Sequence, residues 1–80
     1  MINLSDNIKY DVTVIVHNLE DRPVHAAWLT ATLLYGLEGQ QKFNEGNLVL
    51  KIIKRALLQI DFEKRELFVQ TLMKILEEKN

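Results

Sequence analysis

The stretch VHAAWLTATLLYGL, residues 24–37, decides the fold class of this 80-residue chain. Ten of its fourteen residues are apolar, and the exceptions are His25, Thr30, Thr32 and Gly36. A helix on the surface of a globular protein needs one apolar stripe about 100° wide. Because this segment is apolar on most of its sides, it predicts a helix that other helices cover, from this chain or from a second one.

A second stretch, residues 48–60, is interrupted only by Lys51, Lys54, Arg55 and Gln59. On a helix these four polar residues fall on one narrow stripe. A helix with such a narrow polar stripe also needs cover on its other sides. The two stretches together predict more apolar helix surface than a compact monomer of this size hides.

The whole chain, residues 1–80, predicts a single all-α domain, a compact bundle of three or four helices. We place the helices at about residues 6–19, 22–37, 45–60 and 62–78, from the apolar spacing along the chain.

Residue types at the predicted helix ends support these boundaries. Asp21 is expected to cap the second helix, with Pro23 in its first turn. Gly36 or Gly39 is expected to end that helix in the left-handed conformation. The other expected N-caps are Ser5, Asn44 or Asn47, and Asp61.

The connections between the last three helices carry two further expectations. Residues 38–46 are polar with glycine at both ends, which indicates a loop, and Phe43 is expected to pin this loop to the core. Neither glycine nor proline occurs between Leu48 and Asn80. The third and fourth helices are therefore expected to form a hairpin through a tight turn.

Residues 8–17 fit two secondary structures. The β-branched run from Val12 to Val16 favours a strand, which would pair across a symmetric dimer. Ile8, Val12 and Ile15 also follow helical spacing, and Ser5 offers a helix start. A lone strand leaves its backbone groups unpaired, and the rest of the chain offers no partner strand. We therefore favour the helix.

Composition and charge exclude several classes of function. Ten basic and eleven acidic residues give a net charge of −1, so no long-range field recruits nucleic acid or anionic lipid. The absence of cysteine excludes disulfides, thiolate metal sites and thiol nucleophiles. No signal peptide is evident, and residues 24–37 are shorter than the ~20 residues that span a membrane. We expect a cytoplasmic protein without membrane association.

Catalytic chemistry has little support in the residue inventory. Ser5 is the only serine, and no threonine has a histidine and a carboxylate nearby that form a relay. His17, Glu20, Asp21 and His25 have a passable spacing for a metal ion such as zinc, but they match no recognised ligand motif. We interpret them as helix-end and solvent-exposed residues and leave metal binding open. The sequence predicts no enzyme, no cofactor and no small-molecule substrate.

The surplus of apolar helix surface predicts association with protein. Small residues at Ala27 and Ala31 let a neighbouring helix approach closely, and aromatic residues beside them offer interface anchors. We predict an adaptor, inhibitor, immunity-type or chaperone-like protein that binds a partner protein, itself, or both, with a homodimer expected. The predicted partner-binding residues are Trp28, Leu29, Tyr35, Leu50, Lys51, Lys54, Arg55 and Leu58.

The alternative function is a dimeric regulator that binds nucleic acid. Lys51, Lys54 and Arg55 lie on one helix face and could follow a phosphate backbone. Against this, acidic residues balance the chain, and no helix has the Arg, Asn or Gln cluster that reads base edges. The nucleic-acid hypothesis therefore ranks second.

Overall fold

The computed structural model describes residues 4–79. It contains four helices: α1 (Asp6–Asn18), α2 (Pro23–Gly39), α3 (Phe43–Leu57) and α4 (Phe62–Lys79). The all-α helical bundle is thus confirmed. Residues 8–17 lie within α1, and no strand occurs among the described residues. The alternative of a strand paired across a dimer is therefore not confirmed.

α1 is a helix because its apolar residues form one buried face. Ile8, Val12 and Ile15 are all buried, with Ile15 only 1% exposed. The helix begins where the sequence predicts, since the Ile8 amide donates a hydrogen bond to the Ser5 hydroxyl oxygen at 3.4 Å. The helical spacing thus prevails over the strand propensity of the β-branched run.

α2 is the central helix and packs against all three others. Ala26, Ala27, Thr30 and Ala31 are each at most 1% exposed. Their small side chains let the surrounding helices approach closely, and the Thr30 hydroxyl donates to the Ala26 carbonyl at 2.8 Å. The small-residue face of α2, which the sequence suggested for a partner, therefore lies inside the chain's own core.

The expected hairpin of α3 and α4 is wrong. α4 lies mainly against α2, where Phe68 and Ile75 are buried, while α3 packs on α1 and α2. Both α2 and α3 have an apolar side against which α4 could pack, and in the structure the apolar side of α4 lies mainly against α2. The Arg65 side chain holds the α3–α4 connection: its Nε donates to the Leu57 carbonyl at 3.0 Å and its Nη2 to the Ile60 carbonyl at 3.3 Å.

The start of α2 differs in detail from the sequence-based expectation. Pro23 is the first helical residue, so the N-cap position falls on Arg22, whose side chain makes no capping hydrogen bond. Proline lacks an N–H and favours this first position. The expected cap by Asp21 is therefore wrong by one residue.

The α2–α3 connection is shorter than the predicted loop. α2 continues through Gly36 and Gly39, and the residue with positive φ is Gln41, at 59°. The Lys42 amide donates to the Leu37 carbonyl at 2.8 Å, and the Gln41 amide donates to the Glu38 carbonyl at 2.9 Å. These two bonds are the Schellman pattern of a helix C-terminus. The expected left-handed glycine is thus replaced by a glutamine.

The start of α3 also departs from expectation. α3 begins at Phe43, with Lys42 at the N-cap and no side-chain capping bond. Asn44 and Asn47 consequently lie inside the helix and cap nothing. Phe43 is 60% exposed, so it does not pin the connection to the core. At the next helix start, Asp61 directly precedes α4 and its carbonyl accepts a bond from the Arg65 amide at 3.0 Å.

The molecule is thin in one direction. Its Cα atoms extend 32 × 28 × 16 Å, and packed helix axes lie about 8–10 Å apart. Two helical layers therefore fill the short dimension, and one side of the central α2 stays uncovered. Within the described residues, no helix is both long and apolar enough to cross a membrane.

Candidate protein-interaction surfaces

Large apolar side chains remain exposed on every helix. Scattered exposed apolar residues are ordinary in a folded protein, so their clustering decides their meaning. Among the described residues nine large apolar side chains are between 42% and 71% exposed: Tyr10, Val24, Trp28, Phe43, Leu50, Leu58, Phe62, Leu67 and Met73.

The first cluster is the uncovered side of α2. Val24, Trp28, Thr32 and Gly36 follow one another at intervals of four residues, so they lie on one stripe of the helix. All four are exposed, and the Trp28 side chain is 52% exposed. Glu38 is the only Asp, Glu, Lys or Arg residue of α2. We call this uncharged stripe the α2 face.

A groove of about 540 Å³ runs along one side of the α2 face, between α1 and α2. Tyr10 and Val14 line it from α1, and Leu29, Leu33 and Gly36 line it from α2. Asp11 and Lys42 supply charged groups among its lining residues. The groove therefore has apolar walls with a few polar groups, a composition typical of binding sites.

A smaller groove of about 280 Å³ lies on the other side of the α2 face, between α2 and α4. Its lining includes Trp28, Thr32 and Tyr35 from α2, and Ile75 and Glu78 from α4. Thr32 lines both grooves. The α2 face is thus a ridge between two grooves, and the predicted residues Trp28, Leu29 and Tyr35 all lie on this one surface.

The predicted residues of α3 lie on a different surface. Val49, Ile53 and Leu57 are the buried side of α3. Leu58, at 64% exposed, lies on the opposite, solvent side, and Leu50, at 42% exposed, lies at the edge between the two sides. The solvent side also carries the exposed basic residues Lys51, Lys54 and Arg55. None of these predicted residues of α3 lines either groove beside the α2 face.

Sequence reasoning missed several residues of these surfaces. Tyr10 and Gly36 line the larger groove, and Phe62 and Met73 are exposed on α4. The sequence did contain a signal for Gly36. A glycine inside a helix makes the helix less stable than an alanine would, so its presence there indicates a role other than helix stability. A Cβ atom built on Gly36 would meet nothing within 4 Å, so this chain's own packing does not require the glycine.

The acidic and histidine residues near the α1–α2 turn all lie on the surface. His17, Glu20, Asp21 and His25 are all exposed. Across the described part of the chain, no group of three or more His, Cys, Asp or Glu side chains is placed to hold a metal ion.

No protein-family model, curated protein or solved structure matches this chain.

Proposed function

We propose that this chain is a small non-enzymatic protein-interaction module, of the adaptor, inhibitor, immunity or chaperone-like kind, that binds through apolar helix faces. The observation that carries this proposal is the α2 face: a half-exposed Trp28 on an uncharged stripe between two grooves. Tryptophan is enriched among the residues that dominate protein interfaces. The lack of cysteine is compatible with action in the cytoplasm.

The shape of this surface favours a helical segment as the bound element. A helix that lies in an apolar groove buries side chains at intervals of three and four residues. The α1–α2 groove offers apolar walls from Tyr10, Val14, Leu29 and Leu33. Gly36 leaves room for close backbone approach, because a Cβ there would have no neighbour within 4 Å. Trp28 lines the smaller groove on the other side of the α2 face, so a partner that fills the larger groove and also covers the ridge would contact it.

The direct test compares what wild-type and variant protein capture from the cell that makes the chain. Trp28→Glu places a charge at the centre of the α2 face without touching the core, because Trp28 is 52% exposed. We expect the wild type to retain a defined protein partner and Trp28→Glu to lose it. The binding loss should be at least about 2 kcal/mol, the lower limit for an interface hot spot.

Thr13→Glu is the matched control, since Thr13 is exposed on α1 and lines neither groove. It should retain the partner. A partner bound equally by wild type and Trp28→Glu, or no partner at all, rejects the proposal.

The nucleic-acid regulator remains the second candidate because Lys51, Lys54 and Arg55 are all exposed on one side of α3. Phosphate contacts by such residues would give an affinity that falls steeply with salt. We expect fluorescence anisotropy with duplex DNA to give a Kd above ~100 µM at low salt, which excludes specific and ordinary non-specific binding. A tighter, salt-dependent Kd that Lys54→Glu with Arg55→Glu abolishes would favour this second candidate instead.

A further inference from the structure

We propose that a second copy of this chain docks two-fold symmetrically on the corner where α3 ends and α4 begins. We call this surface the α3–α4 corner. Self-association at this corner rests on the proposed function, because it identifies one protein partner and leaves the α2 face free for another. Its members are Lys54, Arg55, Leu58, Phe62, Glu63 and Glu66.

The centre of the corner is apolar and strongly exposed. Leu58 is 64% and Phe62 is 65% exposed, on either side of the turn that joins the two helices. Leu50 on α3 and Met73 on α4, at 42% and 56% exposed, extend the apolar surface away from the turn. An apolar centre of this kind is the part of an interface that contributes most of its binding energy.

Charges of opposite sign flank this centre on the two helices. Lys54 and Arg55 are exposed in the last turn of α3. On α4, Glu63 is exposed and Glu66 is half-buried in the first two turns. The basic pair and the acidic pair thus lie at similar distances along the chain from the connecting turn.

This charge arrangement selects a second copy as the occupant. Contact between the Lys54 and Arg55 sides of two α3 helices would oppose like charges, and so would contact between the Glu63 and Glu66 sides of two α4 helices. A two-fold axis near the turn can instead lay α3 of each copy along α4 of the other. Each contact between these two helices then occurs twice, because the interface is two-fold symmetric. Lys54 and Arg55 of each copy then face the partner copy's acidic pair, and the apolar centres meet at the axis.

The corner is also held in shape before any partner binds. The Arg65 guanidinium donates to the Leu57 and Ile60 carbonyls at 3.0 and 3.3 Å. These two bonds fix the end of α3 relative to the first turns of α4. A surface that is already ordered loses less conformational entropy on binding, which favours association.

The uncharged α2 face is less suited to the second copy. It has no charged side chain that would set the direction of a neighbouring copy, since Glu38 is the only Asp, Glu, Lys or Arg residue in α2. Charge complementarity fixes the register of an interface. The two grooves beside the α2 face are lined by three charged side chains, Asp11, Lys42 and Glu78, whereas the corner carries two basic and two acidic ones around its apolar centre.

A charge-swap experiment tests the proposal by multi-angle light scattering of the full chain. At about 0.1 mM protein, a micromolar Kd gives mainly dimers. We expect the wild type to be dimeric. Lys54→Glu with Arg55→Glu should be largely monomeric, and so should Glu63→Lys with Glu66→Lys. Like charges then meet twice in each two-fold interface, and we expect the dimer affinity to fall by roughly a thousandfold.

Restoration of the opposite charges then distinguishes this contact from any other. All four substitutions in one chain should restore the dimer, and an equimolar mixture of the two reversed variants should form a mixed dimer. Lys9→Glu with Arg22→Glu makes the same change in net charge at exposed positions outside the corner and should stay dimeric. Glu66 is half-buried, so the double variant could fail to fold. Glu63→Lys alone changes an exposed residue and is measured as well; it should also weaken the dimer.

Three results would overturn the proposal: a monomeric wild type, reversed variants that remain dimeric, or a fourfold variant that stays monomeric. Trp28→Glu should leave the dimer unchanged, and the monomeric variants should still capture a partner through the α2 face. A failure of the corner is therefore distinguishable from a failure of the proposed function.

Discussion

At the scale of single residues, Gln41 has an unfavourable backbone conformation. Its φ of 59° is in the left-handed region, which costs a residue with a Cβ about 1–2 kcal/mol. Gln41→Gly should therefore raise the free energy of unfolding by about 0.5–1 kcal/mol, measured as a higher urea midpoint with an unchanged m-value. Gln40 has a φ of −91°, so Gln40→Gly should give no gain. An equal gain at both positions would contradict this explanation.

Arg65 is a second residue whose contribution can be measured. Its two bonds reach the Leu57 carbonyl at the end of α3 and the Ile60 carbonyl in the connection that follows, where helix geometry leaves carbonyls in need of donors. Arg65→Met should lower the free energy of unfolding by about 1–2 kcal/mol and weaken self-association, because the corner loses its brace. Arg22→Met makes the same substitution at an exposed arginine, and its effect in urea denaturation should be within about 0.5 kcal/mol of zero. If both substitutions have the same effect, Arg65 does not brace the corner.

At the scale of helices, Gly36 links stability to binding. A glycine inside an exposed helix is about 0.5–1 kcal/mol less stable than alanine, and nothing in this chain occupies the space beside it. Gly36→Ala should therefore stabilise the protein in urea denaturation by about that amount and weaken capture of the partner, because the methyl group enters the α1–α2 groove.

Gly46→Ala is the control for this prediction, since Gly46 lies inside α3 with equally open space. It should give a similar gain in stability with partner capture intact. If Gly36→Ala leaves capture unchanged, the α2 face is not the docking surface.

The four helices could be predicted from the sequence because the apolar spacing is local, but several of their ends could not. α2 begins at Pro23, so its N-cap position falls on Arg22. α3 begins at Phe43 without a side-chain cap, so neither Asn44 nor Asn47 marks its start. These ends depend on backbone hydrogen bonds that residue preference alone does not decide.

At the scale of the whole molecule, the sequence indicated which helix sides are apolar but not how the helices are rotated about one another. Trp28 and Leu58 are both apolar in the sequence, yet only the packed structure shows that both are exposed and that Trp28 lines a groove which Leu58 does not. The position of α4 on α2 is a similar case, because α4 is amphipathic and fits any apolar neighbour. Long-range packing decides between such neighbours.

The two phenylalanines of α4 test this packing directly. Phe68 is 1% exposed and Phe62 is 65% exposed. Phe68→Ala should cost about 3–5 kcal/mol, most of the stability expected of a small domain, so its far-UV circular dichroism at 37 °C should show a largely unfolded chain. Phe62→Ala should keep the helical spectrum and weaken the dimer. A folded Phe68→Ala variant would contradict the placement of α4.

Acrylamide quenching of Trp28 fluorescence tests the central claim most directly, because this chain contains one tryptophan. Trp28 should be readily quenched in the free protein, and equally so from dilute to dimeric concentrations, since the corner and not the α2 face joins the copies. Addition of the captured partner should shift its emission to the blue and protect it from quenching. Protection that appears with self-association alone, or a bound partner that leaves the quenching unchanged, would contradict the account.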